Sequence, residues 1–158
     1  MNFTTLKRIL FSDYIMKIVC DDKLSVYVDG ELRIQENRDR WNAVHTLSIL
    51  KSTKVIGIAC VNSRGQYGIL GSVADESDKD VLLTGSYWGC SNKLEDGWER
   101  ADFVEGVNWL AAVELIESDY YNKKGPWRAI STQSKVIWTN RDDRTVYCRK
   151  TVDCKFKN

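Results

Sequence analysis

Short runs rich in β-branched and aromatic residues follow one another through most of this chain, and their spacing constrains the fold more than any other feature. Turn and loop residues separate the runs, as at Asp29-Gly30 and at SRGQY in 63–67. Strands are predicted at residues 14–20, 24–28, 31–34, 44–50, 55–62, 68–74, 81–83, 109–116, 136–139 and 145–152. This regular alternation of short strands and turns favours an all-β sandwich or barrel.

The length of 158 residues is expected to form one domain, because no internal repeat, low-complexity tract or composition break divides the chain. We interpret residues 1–12 as an N-terminal arm and residues 13–158 as the β domain. The run 109–116 has a helix-like Leu-Ala-Ala centre, but the strands on both sides favour a strand there. Residues 117–134, which contain GPW, are predicted to be a loop.

Charge and hydropathy exclude two classes of partner. Lys and Arg number 23 against 22 Asp and Glu, and no basic stripe is visible, so a nucleic-acid partner is not expected. The longest apolar stretch, 107–116, is too short to span a bilayer, so membrane insertion is not expected either. The start MNFTTLKRIL lacks the apolar core of a signal peptide. If the protein is extracellular, this chain is then the mature form or is exported by another route.

One hairpin is predicted to gather acidic residues at its open end. Apolar residues alternate on either side of Asp29-Gly30, a pair typical of a two-residue β-turn. Because both open ends of a hairpin point the same way, Asp21 and Asp22 should lie beside the loop that follows the second strand. That loop contains Glu36, Asn37 and Asp39.

Oxygen ligands from two loops suit Ca²⁺, which takes six to eight oxygens, and Trp41 next to them offers an aromatic face. We therefore expect a calcium-assisted sugar site. The simpler interpretation is that Asp21-Asp22 caps a turn and that Glu36 and Asp39 only pair with neighbouring arginines. A second acidic set is expected at the same end, comprising Glu95, Asp96 and Asp102.

Catalysis is not expected from this sequence. His45 is the only histidine, and neither GxSxG nor a glycine-rich phosphate loop is present. A glycosidase could use two carboxylates alone, with Asp21 or Asp22 facing Glu36, and this stays open as a minor alternative.

The five cysteines form an odd set. In a small extracellular domain they would give two bridges and one free or intermolecular thiol, whereas in the cytosol all five would be reduced. No CxxC pair occurs, so a zinc site is not expected.

Nine sequence motifs, taken in order, resemble those of galactose-binding-like jelly-roll β-sandwich domains, including the calcium-dependent galactose-specific lectins of sea anemones. The resemblance covers about residues 13–152. The motifs are CDDKLSVYVDG, RDRW, VIGIACVN, GILGS, SYWGCSN, GW with ADF, GPW, VIWTN and TVYCRK. The sequence departs from the family pattern at 63–67 and at GPWR in 125–128. The same sandwich also serves as a non-catalytic module in other extracellular proteins.

The resemblance implies disulfides between Cys20 and Cys60 and between Cys90 and Cys148, each with a stabilising effect of about 4 kcal/mol in the chain-entropy model. Cys154 is then left for an intermolecular bridge that would give a homodimer.

The resemblance also implies an extracellular lectin without catalysis, which binds terminal galactose of glycoproteins or glycolipids through Ca²⁺. The alternative is a matrix or adhesion module that makes protein contacts without sugar. The expected metal ligands are Asp21, Asp22, Glu36 and Asp39. The expected sugar contacts are Asn37, Arg38, Trp41, Arg64, Gln66 and Trp88.

Overall fold

The computed structural model describes residues 13–63, 65–116, 125–140 and 142–152, and the fold is all-β. One short 3-10 helix, Gly125–Ala129, accompanies the strands. The strands are Tyr14–Asp21 (β1), Lys23–Val28 (β2), Glu31–Glu36 (β3), His45–Ile49 (β4), Val55–Val61 (β5), Gly68–Ala74 (β6), Asp80–Leu83 (β7), Gly89–Ser91 (β8), Leu110–Ala111 (β9), Val113–Glu114 (β10), Ile137–Trp138 (β11) and Thr145–Thr151 (β12).

The strands form two antiparallel sheets rather than a barrel. The first sheet has the order β10-β11-β6-β1-β4, with β7 also paired to β6. The second has the order β3-β2-β5-β12-β8-β9. One hydrophobic core contains buried residues of both sheets, such as Met16 and Ile18 from β1 and Val26 and Ile58 from β2 and β5. This arrangement is that of a β-sandwich.

Each predicted run overlaps an observed strand, although the run 109–116 holds two short strands instead of one and β8 was not predicted. The run 109–116 is interrupted at Ala112, whose N–H donates to the carbonyl of Trp88 at 2.8 Å. As a result, β9 belongs to the second sheet and β10 to the first. The strand β8 was missed because it has only three residues, although Cys90 within it lies directly opposite Cys148 of β12.

The outer face of each sheet is covered in part by loops. On the first sheet, Trp127 and Ile130 pack with Val19 and Leu70 in a second buried cluster. This cover explains why β6 is buried along nearly its whole length instead of alternating.

The loop between β8 and β9 covers part of the second sheet and is held there by the buried Arg149. The Arg149 guanidinium donates to the carbonyls of Trp98 at 2.9 Å and Arg100 at 2.8 Å, and to a Glu105 carboxylate oxygen at 3.1 Å. The Trp98 ring lies beside those of Tyr27 and Tyr147, with centroids 5.4 and 5.3 Å away. The loop is therefore fixed across the sheet by long-range contacts.

Two disulfides are present, and both pairings implied by the family resemblance are confirmed. Cys20–Cys60 joins β1 of the first sheet to β5 of the second, and Cys90–Cys148 joins neighbouring strands of the second sheet. Cys154 lies outside the described residues, so its pairing stays a prediction. Within the described ranges, no helix has the length and apolar character needed to cross a membrane.

Candidate functional site

The predicted hairpin is observed, and its turn has the backbone that a two-residue connection requires. Asp29 and Gly30 have φ values of 50° and 83°, the left-handed region that Asp-Gly pairs readily adopt. The Asp29 carboxylate accepts the backbone N–H groups of Lys54 and Val55 at 2.8 and 3.0 Å. The hairpin is therefore held at its closed end, with the acidic residues at the other end.

Asp21 and Asp22 lie where the chain passes from the first sheet into the second. Asp21 ends β1, and Asp22 leads into β2, which begins at Lys23. Only 8% and 7% of their surfaces are exposed. The Asp22 N–H donates to Val61 at 2.9 Å, and its carbonyl accepts the N–H of Arg40 at 3.3 Å. The hydrogen bond from Arg40 to Asp22 therefore connects the segment between β1 and β2 to the loop after β3.

Ser63 links the two acidic loops. Its N–H donates to Asp22 Oδ2 and its hydroxyl donates to Asp39 Oδ1, both at 2.8 Å. The Lys23 ammonium is also 3.9 Å from Asp39 Oδ1. The expected proximity of residues 21–22 to the loop after β3 is therefore confirmed. We call Asp21, Asp22 and Asp39 the aspartate cluster.

The pKa of Asp21 in the aspartate cluster is raised far above the usual value of an aspartate. Burial raises the pKa of Asp21 to about 8, and a hydrogen bond with Asp22 and the charges of Asp22 and Asp39 add to the effect. Asp21 and Asp22 are buried, whereas Asp39 is exposed. Two buried carboxyl groups joined by a hydrogen bond share a proton or take up a cation, because like charges at low dielectric repel strongly. The arrangement is therefore suited to binding a positive ion.

Asn62 precedes Ser63, the residue that links Asp22 to Asp39. Its Oδ1 is buried and accepts no hydrogen bond from the residues that the structure describes, whereas its Nδ2 donates to the carbonyl of Gly65 at 3.4 Å. Leaving a buried acceptor unsatisfied costs about 1–3 kcal/mol. A cation or a ligand hydroxyl would remove that penalty.

Glu36, by contrast, is committed to Arg38. The Glu36 carboxylate accepts Arg38 Nε at 2.9 Å, Nη2 at 3.1 Å and the backbone N–H at 3.0 Å. These bonds lower the pKa of Glu36 to about 2. The structure therefore places Glu36 in the local ion pair that the simpler interpretation anticipated, rather than with the three aspartates.

Trp41 is exposed beside this loop and is anchored through its backbone. Its carbonyl accepts the indole N–H of the buried Trp127 at 2.8 Å, while 51% of its own surface is exposed. The GPW motif therefore fixes the Trp41 loop and leaves the ring accessible. Asn37 and Gln66 are also exposed.

Two other residues, Trp88 and Arg64, were predicted to contact the sugar. Trp88 is only 2% exposed and belongs to the core, with its indole N–H donating to the carbonyl of Leu83 at 2.9 Å. Arg64 lies outside the described residues.

The second acidic set, Glu95, Asp96 and Asp102, was expected at the same end of the fold as Asp21 and Asp22. Glu95 accepts the indole N–H of Trp109 at 2.7 Å, in the loop held by Arg149. Arg100 of the same loop reaches the Asp29-Gly30 turn, where its Cγ would be 3.3 Å from a Cβ on Gly30. The part of this loop around Arg100 therefore lies at the closed end of the hairpin, opposite the end at which the second acidic set was expected. Asp96 and Asp102 are exposed on this loop.

The residues around the aspartate cluster offer both carboxylate and neutral oxygens to a metal ion. Among the described residues, no three His, Cys, Asp or Glu side chains already form a metal-binding group. A calcium ion would need Asp39 to move in and neutral oxygens to complete its coordination, and Ser63 and Asn62 offer such oxygens. The residues fit calcium, an ion that tolerates irregular oxygen shells, better than zinc.

The stability of the metal-free protein should fall as pH rises. The Asp21 pKa is about 8 in the folded protein against a reference value of 3.8, so the folded state binds more protons between these values. With chelator present, the free energy of unfolding should therefore decrease by about 1 kcal/mol per pH unit from pH 5 to 7. Urea unfolding of wild type and Asp21→Asn measures this. The variant should lose the slope, whereas Asp96→Asn should keep it, and equal slopes in all three would contradict the assignment.

Comparisons of this chain with protein-family models, curated proteins and solved structures give no match.

Proposed function

We propose that this protein is a non-catalytic lectin that binds terminal galactose through a calcium ion held by the aspartate cluster. The observation that carries the proposal is the convergence of Asp21 and Asp22, nearly buried, with Asp39, connected through Ser63. Burial first, and then the hydrogen bond with Asp22 and the charges of Asp22 and Asp39, raise the pKa of Asp21 to about 8. A divalent cation would offset the repulsion.

The proposed calcium ligands are Asp21, Asp22 and Asp39, with Asn62 Oδ1 and the Ser63 hydroxyl as neutral oxygens. Asn62 Oδ1 is included because it is buried and unpartnered. Glu36, expected from the sequence, is left out because Arg38 occupies its carboxylate. When bound, calcium would supply open positions that two neighbouring sugar hydroxyls can fill in place of water.

The exposed Trp41 is the proposed platform for the apolar face of galactose, and it lies in the loop that contributes Asp39. Asn37, Arg38 and Gln66 are proposed to bind the remaining hydroxyls. Arg64 is retained from the sequence, whereas Trp88 is omitted because its ring is in the core.

The proposal includes an extracellular location, to which the two disulfides are suited. It also includes a jelly-roll topology and a homodimer through Cys154. A dimer would raise the effective affinity for glycan-coated surfaces, because linked sites bind with a high local concentration.

Titration calorimetry tests this function. Methyl β-galactoside should release heat in calcium and none in EDTA, and methyl β-glucoside, which differs at one hydroxyl, should bind more weakly. Absence of heat in calcium would leave the adhesion-module alternative, and equal heat in EDTA would remove the metal from the mechanism. Release of nitrophenol from an aryl galactoside would show catalysis and contradict the lectin.

Trp41→Ala should weaken galactose binding about tenfold, or about 1.4 kcal/mol, through loss of the aromatic face. Calcium affinity, measured by calorimetry without sugar, should stay unchanged because the Trp41 side chain offers no oxygen ligand. Trp41→Phe keeps a ring and should retain most of the sugar affinity. Equal sugar binding by Trp41→Ala and wild type would contradict the stacking role.

A further inference from the structure

A second cleft lies at one side of the sandwich, where the chain passes from the second sheet to the first. It has a volume of about 360 Å³. One wall consists of β8 and β9, which are paired through Cys90 and Leu110. Asn140, just after β11, and Asp143 line the cleft as well. Its size is within the range of small-molecule sites in proteins.

The cleft has free amides and a fixed acid. The Asn108 and Asn140 side chains line it, are exposed, and make no hydrogen bond to the described chain. Asp143, in contrast, accepts Asn92 Nδ2 at 3.0 Å and the Thr139 hydroxyl at 2.6 Å. The amides can therefore donate and accept for a ligand on a wall whose acid is held in place.

Three aliphatic side chains are exposed at the same cleft. Val107 is 93% exposed, and Leu110 and Val113 are exposed as well. Leu110 and Val113 lie on β9 and β10, the edge strands of the two sheets among the described residues. A small apolar group of a ligand would remove part of this surface from water.

The charged and aromatic side chains of the cleft lining restrict further the kinds of ligand that the cleft can bind. Lys93 and Asp143 are the charged residues among the described lining, and their charges cancel. The described lining has no aromatic side chain, so a nucleobase would find no ring to stack on. The cleft therefore suits a neutral ligand that carries hydroxyl and amide groups and one small apolar group.

We infer that this cleft binds an N-acetylated sugar, with the acetamido methyl against Val107 and Leu110 and the amide and hydroxyls on Asn108 and Asn140. Methyl, amide and hydroxyl groups occur together in an N-acetylhexosamine, which matches the aliphatic and amide lining. This site is separate from the aspartate cluster and does not depend on calcium.

Saturation-transfer NMR in EDTA tests the inference with methyl N-acetyl-β-glucosaminide and methyl β-glucoside. The acetylated sugar should bind at least fivefold more tightly, with the strongest transfer on its acetyl methyl. The double variant Val107→Ser/Asn108→Ala should weaken it at least fivefold. Val104→Ser is the matched control, because Val104 is 85% exposed on the same loop and does not line the cleft.

Equal binding of the two sugars, or equal binding by the double variant and Val104→Ser, would overturn the inference. Tighter binding of an N-acetylated dipeptide than of the sugar would also overturn it, since the cleft would then be a peptide site. Because these measurements are made without calcium, their result is independent of galactose binding at the aspartate cluster.

Discussion

Asp22→Asn should lower calcium affinity at least about 100-fold, equivalent to about 2.7 kcal/mol, because it removes a negative ligand from the centre of the aspartate cluster. The amide oxygen can still accept the Ser63 N–H, which donates to Asp22 Oδ2 at 2.8 Å. The metal-free variant should fold as well as wild type or better, because the Asp22 charge that helps to raise the pKa of Asp21 is removed. Calcium calorimetry and thermal unfolding in EDTA measure the two effects.

Glu36→Gln is the matched control for this prediction. Glu36 lies close to Asp39 in sequence, but its carboxylate is bound to Arg38. We therefore expect calcium affinity within about threefold of wild type, on the scale of tenfold per 1.4 kcal/mol. Loss of calcium in Glu36→Gln with retention in Asp22→Asn would place the ion at Glu36 and contradict the proposed cluster.

Removing the Cys20–Cys60 disulfide with the double variant Cys20→Ala/Cys60→Ala should reduce the free energy of unfolding by about 4 kcal/mol. The bridge joins the two sheets and closes a loop with a sequence separation of 40 residues, so its loss increases the entropy of the unfolded chain. For a domain of this size the melting temperature should fall by roughly 8–16 °C. Urea unfolding and calorimetry under non-reducing conditions measure both quantities.

The double variant Cys90→Ala/Cys148→Ala separates stability from binding. Its loop has a separation of 58 residues, so the loss of stability should be similar, again about 4 kcal/mol. Only Cys20 is adjacent to Asp21, so calcium affinity of the folded protein should decrease in the first double variant and not in the second. Unchanged melting temperatures would contradict the stabilising role of both bridges.

Local sequence patterns determined the strands and the expected meeting of the two acidic loops. Alternating burial at Leu24, Val26 and Val28 is a property of a few neighbouring residues. The Asp29-Gly30 turn then fixes the hairpin, and hairpin geometry alone brings its open end close to the preceding residues. Proximity of Asp22 and Asp39 could therefore be predicted without knowledge of the rest of the fold.

Side-chain partners within loops could not be predicted in the same way, because they depend on contacts between distant parts of the chain. Ser63 is connected to Asp22 and Asp39 only after β5 has been placed beside β2. The buried Arg149 fixes Trp98 across the second sheet, although the two are far apart in sequence.

The sequence by itself determined an all-β chain, the boundaries of most strands and the closeness of two acidic loops, since each follows from interactions between near neighbours. Only the tertiary structure decided that Trp88 is in the core and that Ala112 separates strands of different sheets. These outcomes depend on which surfaces are left uncovered once the sheets pack, and no local pattern contains that information.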